Sequence, residues 1–458
     1  MQRVPESAST AQRISAVASP PRRRSGRTST MEIQARSGPK GSTAAVAARQ
    51  SGWPSSRVRT WPWRRKTRQS SAVWFQPAVA ESATARGRSS SVSGRGGMAP
   101  RLPPAGRGVN LDGMVRADLA ARMPRMLLIG CGAFGRVHAA ALARLGVTAL
   151  GYDPSQAARA ALPGLRFADT LEDGLAACDA AIVATPPETH RAIAEAVLRA
   201  GCGLFLEKPA TVTAAESVEL EAIARETGCI AQVGLYFRFH PKAQALHAMV
   251  RAGDFGRLHH LSARMSGLKR ARADSGALLN DAVHFADLLP WMAGEAPARV
   301  FATLSDPLGR GREDLALIQL LFPSGATGFI EAGCVLPGEH DDAVVPGAET
   351  RKLLAIAGRD ALAELDFAAE RLALRRGRHE PAPGGAWLPA HAPREMVDAP
   401  GLDPVGVVTA QLAAFLEAVR SRVPQGPGLR EGGVAPLAIL DAARRSAQEG
   451  RVVTIGEG

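Results

Sequence analysis

Met126-Leu-Leu-Ile-Gly-Cys-Gly-Ala-Phe-Gly135 is the stretch that decides the fold. An apolar run breaks into Gly130-x-Gly132-x-x-Gly135, and Asp153 follows at the spacing of a dinucleotide-binding βαβ unit. Gly130 allows a tight turn out of the strand, and Gly132 lets backbone approach a pyrophosphate. Gly135 lets the helix pack closely on the sheet. The free N–H groups of the helix that opens at Ala133 and Phe134 then face the phosphates, with a partial charge of roughly half an elementary unit. The context agrees with this reading. Phe134 to Leu145 is Ala-rich and helical, and Val147 to Tyr152 reads as a second strand that delivers Asp153 to the adenosine ribose.

Composition limits the alternatives. The chain has 458 residues, long enough for two or three domains, and a formal net charge of +13. That charge is unevenly placed. Residues 1–110 hold 20 of the 56 Lys and Arg but only 3 of the 43 Asp and Glu, so the remainder is about −4. The folded body therefore has no electrostatic reason to bind nucleic acid. Residues 1–122, rich in Arg, Ser, Pro, Ala and Gly without apolar periodicity, are expected to be a disordered basic tail. Three readings of the tail stay open: an upstream extension preceding a start at Met114, Met123 or Met126, a targeting segment around Arg64-Arg65, or a basic arm. A cytoplasmic location is expected, with periplasmic export only if the tail is a true signal. Cysteines 131, 178, 202, 229 and 334 are odd in number and scattered, which fits a reduced protein without a metal site. No apolar run approaches the ~20 residues that span a bilayer.

Past Pro124, short apolar strands alternate with amphipathic helices. Met126–Gly130, Val147–Tyr152, Ala180–Ala184, Gly203–Leu206 and Ile230–Leu235 read as strands, with helices at Thr189–Arg199 and Ala214–Glu226 between them. This predicts a Rossmann-type parallel sheet covered on both faces, over residues 123–241. From 242 to 458 the texture changes. After a helix over Lys242–Ala252, strands at Leu258–Ser266, Arg299–Leu304, Leu315–Phe322, Gly325–Cys334, Lys352–Ala357 and Leu372–Leu374 follow one another. Helices are expected only at Asp281–Met292, Val407–Ser421 and Ala435–Gln448. The pattern implies an α+β domain with a large, open, mixed or antiparallel sheet whose free face a second subunit would cover. Residues 338–350 and 381–403 read as long surface loops.

Three constellations carry chemistry. Ala184-Thr185-Pro186-Pro187-Glu188-Thr189-His190 ends a strand and opens a helix at the carboxyl edge of the sheet, where ligands bind. Thr185, Pro186 and His190 there are candidate cofactor contacts, against simple helix capping. Glu207-Lys208-Pro209 sets a cation at the end of the next strand. Facing an oxidised nicotinamide, its ordinary value of ~10.4 should fall, which suits proton transfer; the plain alternative is a surface Lys paired with Glu207. In Asn280-Asp281-Ala282-Val283-His284-Phe285-Ala286-Asp287, helical spacing puts Asn280, His284 and Asp287 on one face. His284 is a candidate acid/base, against a packing role. Asn280 is a candidate for holding a substrate hydroxyl, and Asp287 either orients the imidazole or caps something structural. The basic loop Lys269-Arg270-Ala271-Arg272 is expected to be solvated, or else to bind an anionic group of the substrate.

With these features in order, residues Arg125 to Ile455 resemble the glucose–fructose oxidoreductase/inositol dehydrogenase/rhizopine-catabolism (Gfo/Idh/MocA) family. Tyr236-Phe237-Arg238-Phe239-His240-Pro241 and Gly253-Asp254-Phe255-Gly256 extend the match. The resemblance implies hydride transfer between nicotinamide and a carbon of a sugar, inositol or sugar nucleotide, in a homodimer or homotetramer. It makes Lys208 and His284 the catalytic lysine and histidine. It places Asn280 where the family often has Asp, and Asn supplies no negative charge. Glu207 and Lys208 would also border the cofactor. A carboxylate at Asp153 favours NAD, and NADP would need a compensating Arg. Two rival readings are a non-catalytic NAD(P)-binding sensor and an NAD-dependent glycosidase.

Overall fold

The computed structural model describes residues 123–343 and 345–456. The expectations for the tail, residues 1–122, lie outside them.

The first sheet has six parallel strands: β1 (Met126–Ile129), β2 (Ala149–Tyr152), β3 (Arg166–Phe167), β4 (Ala180–Val183), β5 (Gly203–Glu207) and β6 (Ala231–Gly234). Their order is β3-β2-β1-β4-β5-β6, the doubly wound arrangement. The apolar runs are continuous because both faces are covered. Leu127 and Ile129 enter one core with Val183, Leu204 and Leu206, while Met126 and Leu128 enter another with Ile182 and Phe205. Helices α1 (Ala133–Arg144), α2 (Gln156–Ala160), α3 (Leu171–Ala176), α4 (Pro187–Arg199) and α5 (Ala214–Thr227) follow successive strands. A capping box at Thr213 and Glu216 fixes the start of α5. The strand order reverses between β1 and β4, and this is where the first glycine lies.

A second sheet of eleven strands follows α6 (Pro241–Arg251). Its strands are β7 (Leu258–Ser266), β8 (Arg299–Ser305), β9 (Leu315–Leu321), β10 (Thr327–Gly333), β11 (His340–Asp341), β12 (Glu349–Gly358), β13 (Ala361–Asp366), β14 (Arg371–Pro381), β15 (Trp387–His391), β16 (Glu395–Met396) and β17 (Val453–Thr454). Only the β7–β10 pair is parallel, which makes the sheet mixed. Helices α6, α7 (Val283–Ala293) and α9 (Ala435–Glu449) cover one face through Leu246, Phe285, Leu289, Leu437 and Leu440. The opposite face exposes Phe301 and Leu362, consistent with the alternation of buried and exposed residues along β8 and over Ala361 to Leu365 of β13.

Four features differ from the sequence reading. Residues 338–350, read as loop, hold β11 and the first residues of β12. Residues 381–403, read as loop, contain β15 and β16 at the edge of the sheet. Ala361–Asp366 is a full strand, its alternation masked by two small alanines. Helix α8 (Pro404–Ser421) leaves the second sheet and lies on the first, where Val408, Leu412 and Phe415 pack with Phe205 and Leu142. Burying each of these large side chains contributes roughly 1.5–3 kcal/mol. The chain thus crosses back, and the first sheet's outer layer is completed by residues from far downstream. Among the described residues, no helix is long and apolar enough to cross a membrane.

Candidate active site

The carboxyl ends of β1, β4 and β5 open into a cleft of about 840 Å³, closed on the other side by residues of the second sheet and its helices. At one end is the glycine loop. Gly130 has φ +91°, and a Cβ there would lie 2.7 Å from the Ala184 carbonyl group at the end of β4. A Cβ on Gly135 would collide with the Gly130 carbonyl oxygen, so helix and strand approach as the motif requires. Above Gly132 there is open space, and α1 starts there with no side-chain cap. Its first N–H groups, at Ala133 and Phe134, are therefore available to an anion. A helix start with uncapped N–H groups and room above its first glycine is what a pyrophosphate needs.

Asp153 lines the same end of the cleft. Its carboxylate accepts from the Cys131 N–H at 2.7 Å and the Ser155 N–H at 2.8 Å, which ties the strand β2 exit to the glycine loop. Thr185 and Pro186 border the cleft. His190 does not. It is buried beneath the loop, with Nε2 2.9 Å from the Thr185 carbonyl oxygen and Nδ1 2.8 Å from that of Pro209. The sequence reading made His190 a candidate cofactor contact. The folded helix turns its ring inward, where both nitrogens meet backbone.

At the other end, Lys208 donates from Nζ to the Asn280 carbonyl oxygen at 2.8 Å, linking β5 to a π-helical turn, Leu278–Ala282, that opens α7. Such turns often mark functional sites. Burial lowers Lys208 to about 8, with Arg272 and Lys269 acting the same way and Asp281 and Glu207 opposing. His284 is buried but borders the cleft. Its ring meets Tyr236 and Phe237 edge-on, at centroid distances of 5.3 and 5.2 Å, and its Nδ1 has no partner. Burial, aided by the Lys208, Lys352 and Lys269 cations, holds it well below the ordinary imidazole value, so it is neutral near pH 7.

Asn280 lines the cleft and donates through Nδ2 to Asp281 Oδ1 at 2.9 Å. Asp281 is the buried carboxylate of this end, and it also takes a 2.8 Å ion pair from Lys269. The basic loop is thus only partly solvated, since Lys269, Arg270 and Arg272 all line the cleft, with Arg272 paired to Asp274. Asp287 does not orient the imidazole. It forms a buried pair with Arg238, which donates from Nε at 2.9 Å, so its role is structural. Lys352 and Asp342, paired at 3.1 Å, and Tyr236 complete the lining. The sequence reading gave these three no role, nor Asp281 a leading one. Asp281 had a visible signal in its neighbour Asn280, whereas Lys352 and Asp342 reach the cleft from β12 and the loop before it, for which spacing offers no clue. Elsewhere, Glu339, His340 and Asp366 bring ligand atoms within 4.8 Å of one another, but Arg351 and Arg371 already engage the two carboxylates.

Comparison with known proteins agrees with this architecture. Residues 124–235 match the profile of an oxidoreductase family with an NAD-binding Rossmann fold, and residues 243–351 match the GFO/IDH/MocA C-terminal domain. The rhizopine catabolism protein MocA of Rhizobium meliloti is 31% identical over 229 residues, which are 46% of this chain and 72% of that protein. The chain belongs to the Gfo/Idh/MocA family. It is an oxidoreductase, and its Rossmann domain binds NAD. The NAD-dependent scyllo-inositol 2-dehydrogenase of Bacillus subtilis is 30% identical over 183 residues, 38% of this chain and 53% of its own. Among solved structures, UDP-N-acetylglucosamine 3-dehydrogenase from Acidithiobacillus ferrooxidans superposes with a TM-score of 0.60 at 25% identity, covering 71% of this chain and 99% of that one. Levoglucosan dehydrogenase with NADH and L-sorbose shares the fold, at TM-score 0.61 and 20% identity over 73% of this chain and 99% of its own.

Proposed function

We propose that this Gfo/Idh/MocA protein interconverts a secondary alcohol and a ketone on a sugar, an inositol or a sugar nucleotide, using NAD. The observation that carries the reading is the pairing of Lys208 and His284, an amine and an imidazole both held below their ordinary values, in one cleft with an uncapped glycine-loop helix. Bound NAD supplies a hydride acceptor, and as NADH a donor, at C4 of its nicotinamide.

The protein's residues do the rest. The backbone of Gly130, Gly132, Ala133, Phe134 and Gly135 takes the pyrophosphate, and Asp153 takes the adenosine ribose. A 2′-phosphate ~4 Å from that carboxylate would cost on the order of 4 kcal/mol per unit charge at an effective dielectric of ~20, so NAD is favoured over NADP. Thr185, Pro186, Glu207 and Lys208 border the nicotinamide half. Lys208, at about 8, is partly neutral near pH 7, so it can take up the hydroxyl proton in alcohol oxidation and return it in ketone reduction while holding the reacting oxygen. Neutral His284, which borders the same cleft, shares the hydroxyl proton as general acid/base. Asn280 positions a neighbouring hydroxyl. The Lys269–Asp281 and Lys352–Asp342 pairs set donors and acceptors side by side, a lining that suits a ring of hydroxyls.

The exposed face of the second sheet, with Phe301 and Leu362, is the surface through which a homodimer or homotetramer would form. The activity test is NADH absorbance on mixing the protein and NAD with sugars, inositols and sugar nucleotides. Lys208→Ala should lower turnover at least ~100-fold while NADH still binds. Undiminished turnover in that variant would remove the lysine from the chemistry. Release of free sugar without net NADH would indicate a glycosidase instead, and NADH binding without any turnover a sensor.

A further inference from the structure

Two buried histidines that do not line the cleft both lead to Lys208. His138 lies on α1, three residues beyond the last glycine of the loop, and is wholly enclosed between the Phe134 and Phe205 rings. Its Nε2 is 2.8 Å from Glu207 Oε1. A carboxylate oxygen only accepts, so Nε2 carries the hydrogen, and Nδ1 is left buried without a partner. The second oxygen of Glu207 accepts the backbone N–H of Lys208 at 3.1 Å. Glu207 is confined from the other side as well, because a Cβ at Gly234 on β6 would lie 2.7 Å from its carboxylate. His190, on α4, reaches the residue after the lysine: its Nδ1 is 2.8 Å from the Pro209 carbonyl oxygen and its Nε2 2.9 Å from that of Thr185, and the neutral ring donates to one of the two while packing against the other.

We propose that His138 and His190 are positioning residues for Lys208: two buried imidazoles, one on each helix that starts at a cofactor-facing loop, clamp the Glu207–Lys208–Pro209 tripeptide from its two flanks. The role assigned to Lys208 rests on the oxidoreductase reading above, but the clamp itself is a statement about where the amine is held. The glycine loop reports to the lysine through His138 and Glu207. The Thr185–Pro186 loop reports to it through His190. A shift in either loop therefore moves the amine, with no contact between that loop and the substrate. Neither histidine is placed to exchange a proton with a substrate, since both rings lie behind the cleft wall.

The test reads the amine directly, without turnover. Competitive acetylation of the full-length protein with acetic anhydride across pH, resolved by peptide mass spectrometry, gives the pH at which Lys208 becomes reactive, expected at about 8 in the natural sequence. Burial is the largest cause of that low value, ahead of Asp281 and Glu207, which raise it, and Arg272 and Lys269, which lower it. Loosening the tripeptide admits water, so His138→Leu and His190→Leu should each move the inflection upward by roughly one unit toward the ordinary ~10.4. His138→Gln, whose amide can still donate to Glu207, should stay near the natural value. Gly234→Ala pushes on Glu207 with both histidines intact and should also move it upward, which keeps the test usable where a leucine variant does not fold. An inflection unmoved in either folded leucine variant, or in Gly234→Ala, would overturn the clamp. If the natural protein binds NADH but turns over no sugar, inositol or sugar nucleotide, the proposed function falls while the labelling result still stands.

Discussion

At the Gly130–Gly135 end of the cleft the working groups are backbone N–H groups, set out by a strand, a turn and the open end of α1. At the Lys208–His284 end they are side chains: Lys208 after β5 and His284 on α7, both with lowered proton affinity, among charged neighbours from the π turn, the loop after β7, and β12. The first end needs the absence of atoms, and its residues are specified by local geometry. The second needs mutual proximity of charges in a poorly hydrated space, and no single segment specifies it. One end is made to bind and the other to move a proton, so each should fail in its own way when altered.

The largest separation of the two should come from His284→Gln. The amide cannot act as acid or base, so turnover should drop by ~100-fold or more. NADH affinity, set mainly at the other end, should stay within about threefold, less than 1 kcal/mol. Steady-state kinetics with a parallel fluorescence titration of NADH would check this. A large loss of affinity would mean that the imidazole holds the cofactor and that the two ends are not distinct.

Gly130→Ala is the complementary change. The new methyl group meets the Ala184 carbonyl in a backbone conformation with φ +91° that alanine rarely adopts. Overpacking of this kind costs roughly 1–3 kcal/mol, so NADH affinity should weaken by about 10- to 100-fold. Turnover at saturating NAD should stay close to that of the natural sequence. If turnover at saturation falls further than affinity, the loop does more than bind.

This contrast also explains what could be read from the chain. The glycine loop, Asp153 and the alternating strands were legible because each is a local pattern with a fixed period or spacing. Lys208 and His284 were legible as residue types at the end of a strand and on a helix face, and the cleft does bring them together. What escaped was set by tertiary packing. Phe415 covers the first sheet although it follows the second, which no periodicity reveals. His190 looked like a cofactor contact because its loop faces the cleft, but its ring turns inward to two carbonyl oxygens. Asp287 fell on the correct helical face for an orienting carboxylate, yet Arg238 from the segment before α6 claims it. Lys352 and Asp342 gave no signal, since a Lys on a strand and an Asp in a loop are ordinary surface residues until the sheet folds over the cleft.

The smallest of these effects tests whether the proton-moving end acts as one electrostatic unit. Asp281 raises Lys208, and Lys269, its ion-pair partner, lowers it. In Asp281→Asn the raising charge is lost and the Lys269 ammonium loses the carboxylate beside it, so both changes push Lys208 below about 8. Glu207 and Arg272 are unaltered. In the direction of alcohol oxidation Lys208 must take up the proton, so the active fraction is the neutral amine, and rate rises with pH through its titration. The acid limb of the rate profile should therefore move to lower pH, and the variant should run closer to its plateau at pH 7 than the natural protein does. A limb that stays near 8 would show that the Asp281 charge does not act on Lys208. The π turn would then hold the lysine through the Asn280 carbonyl alone.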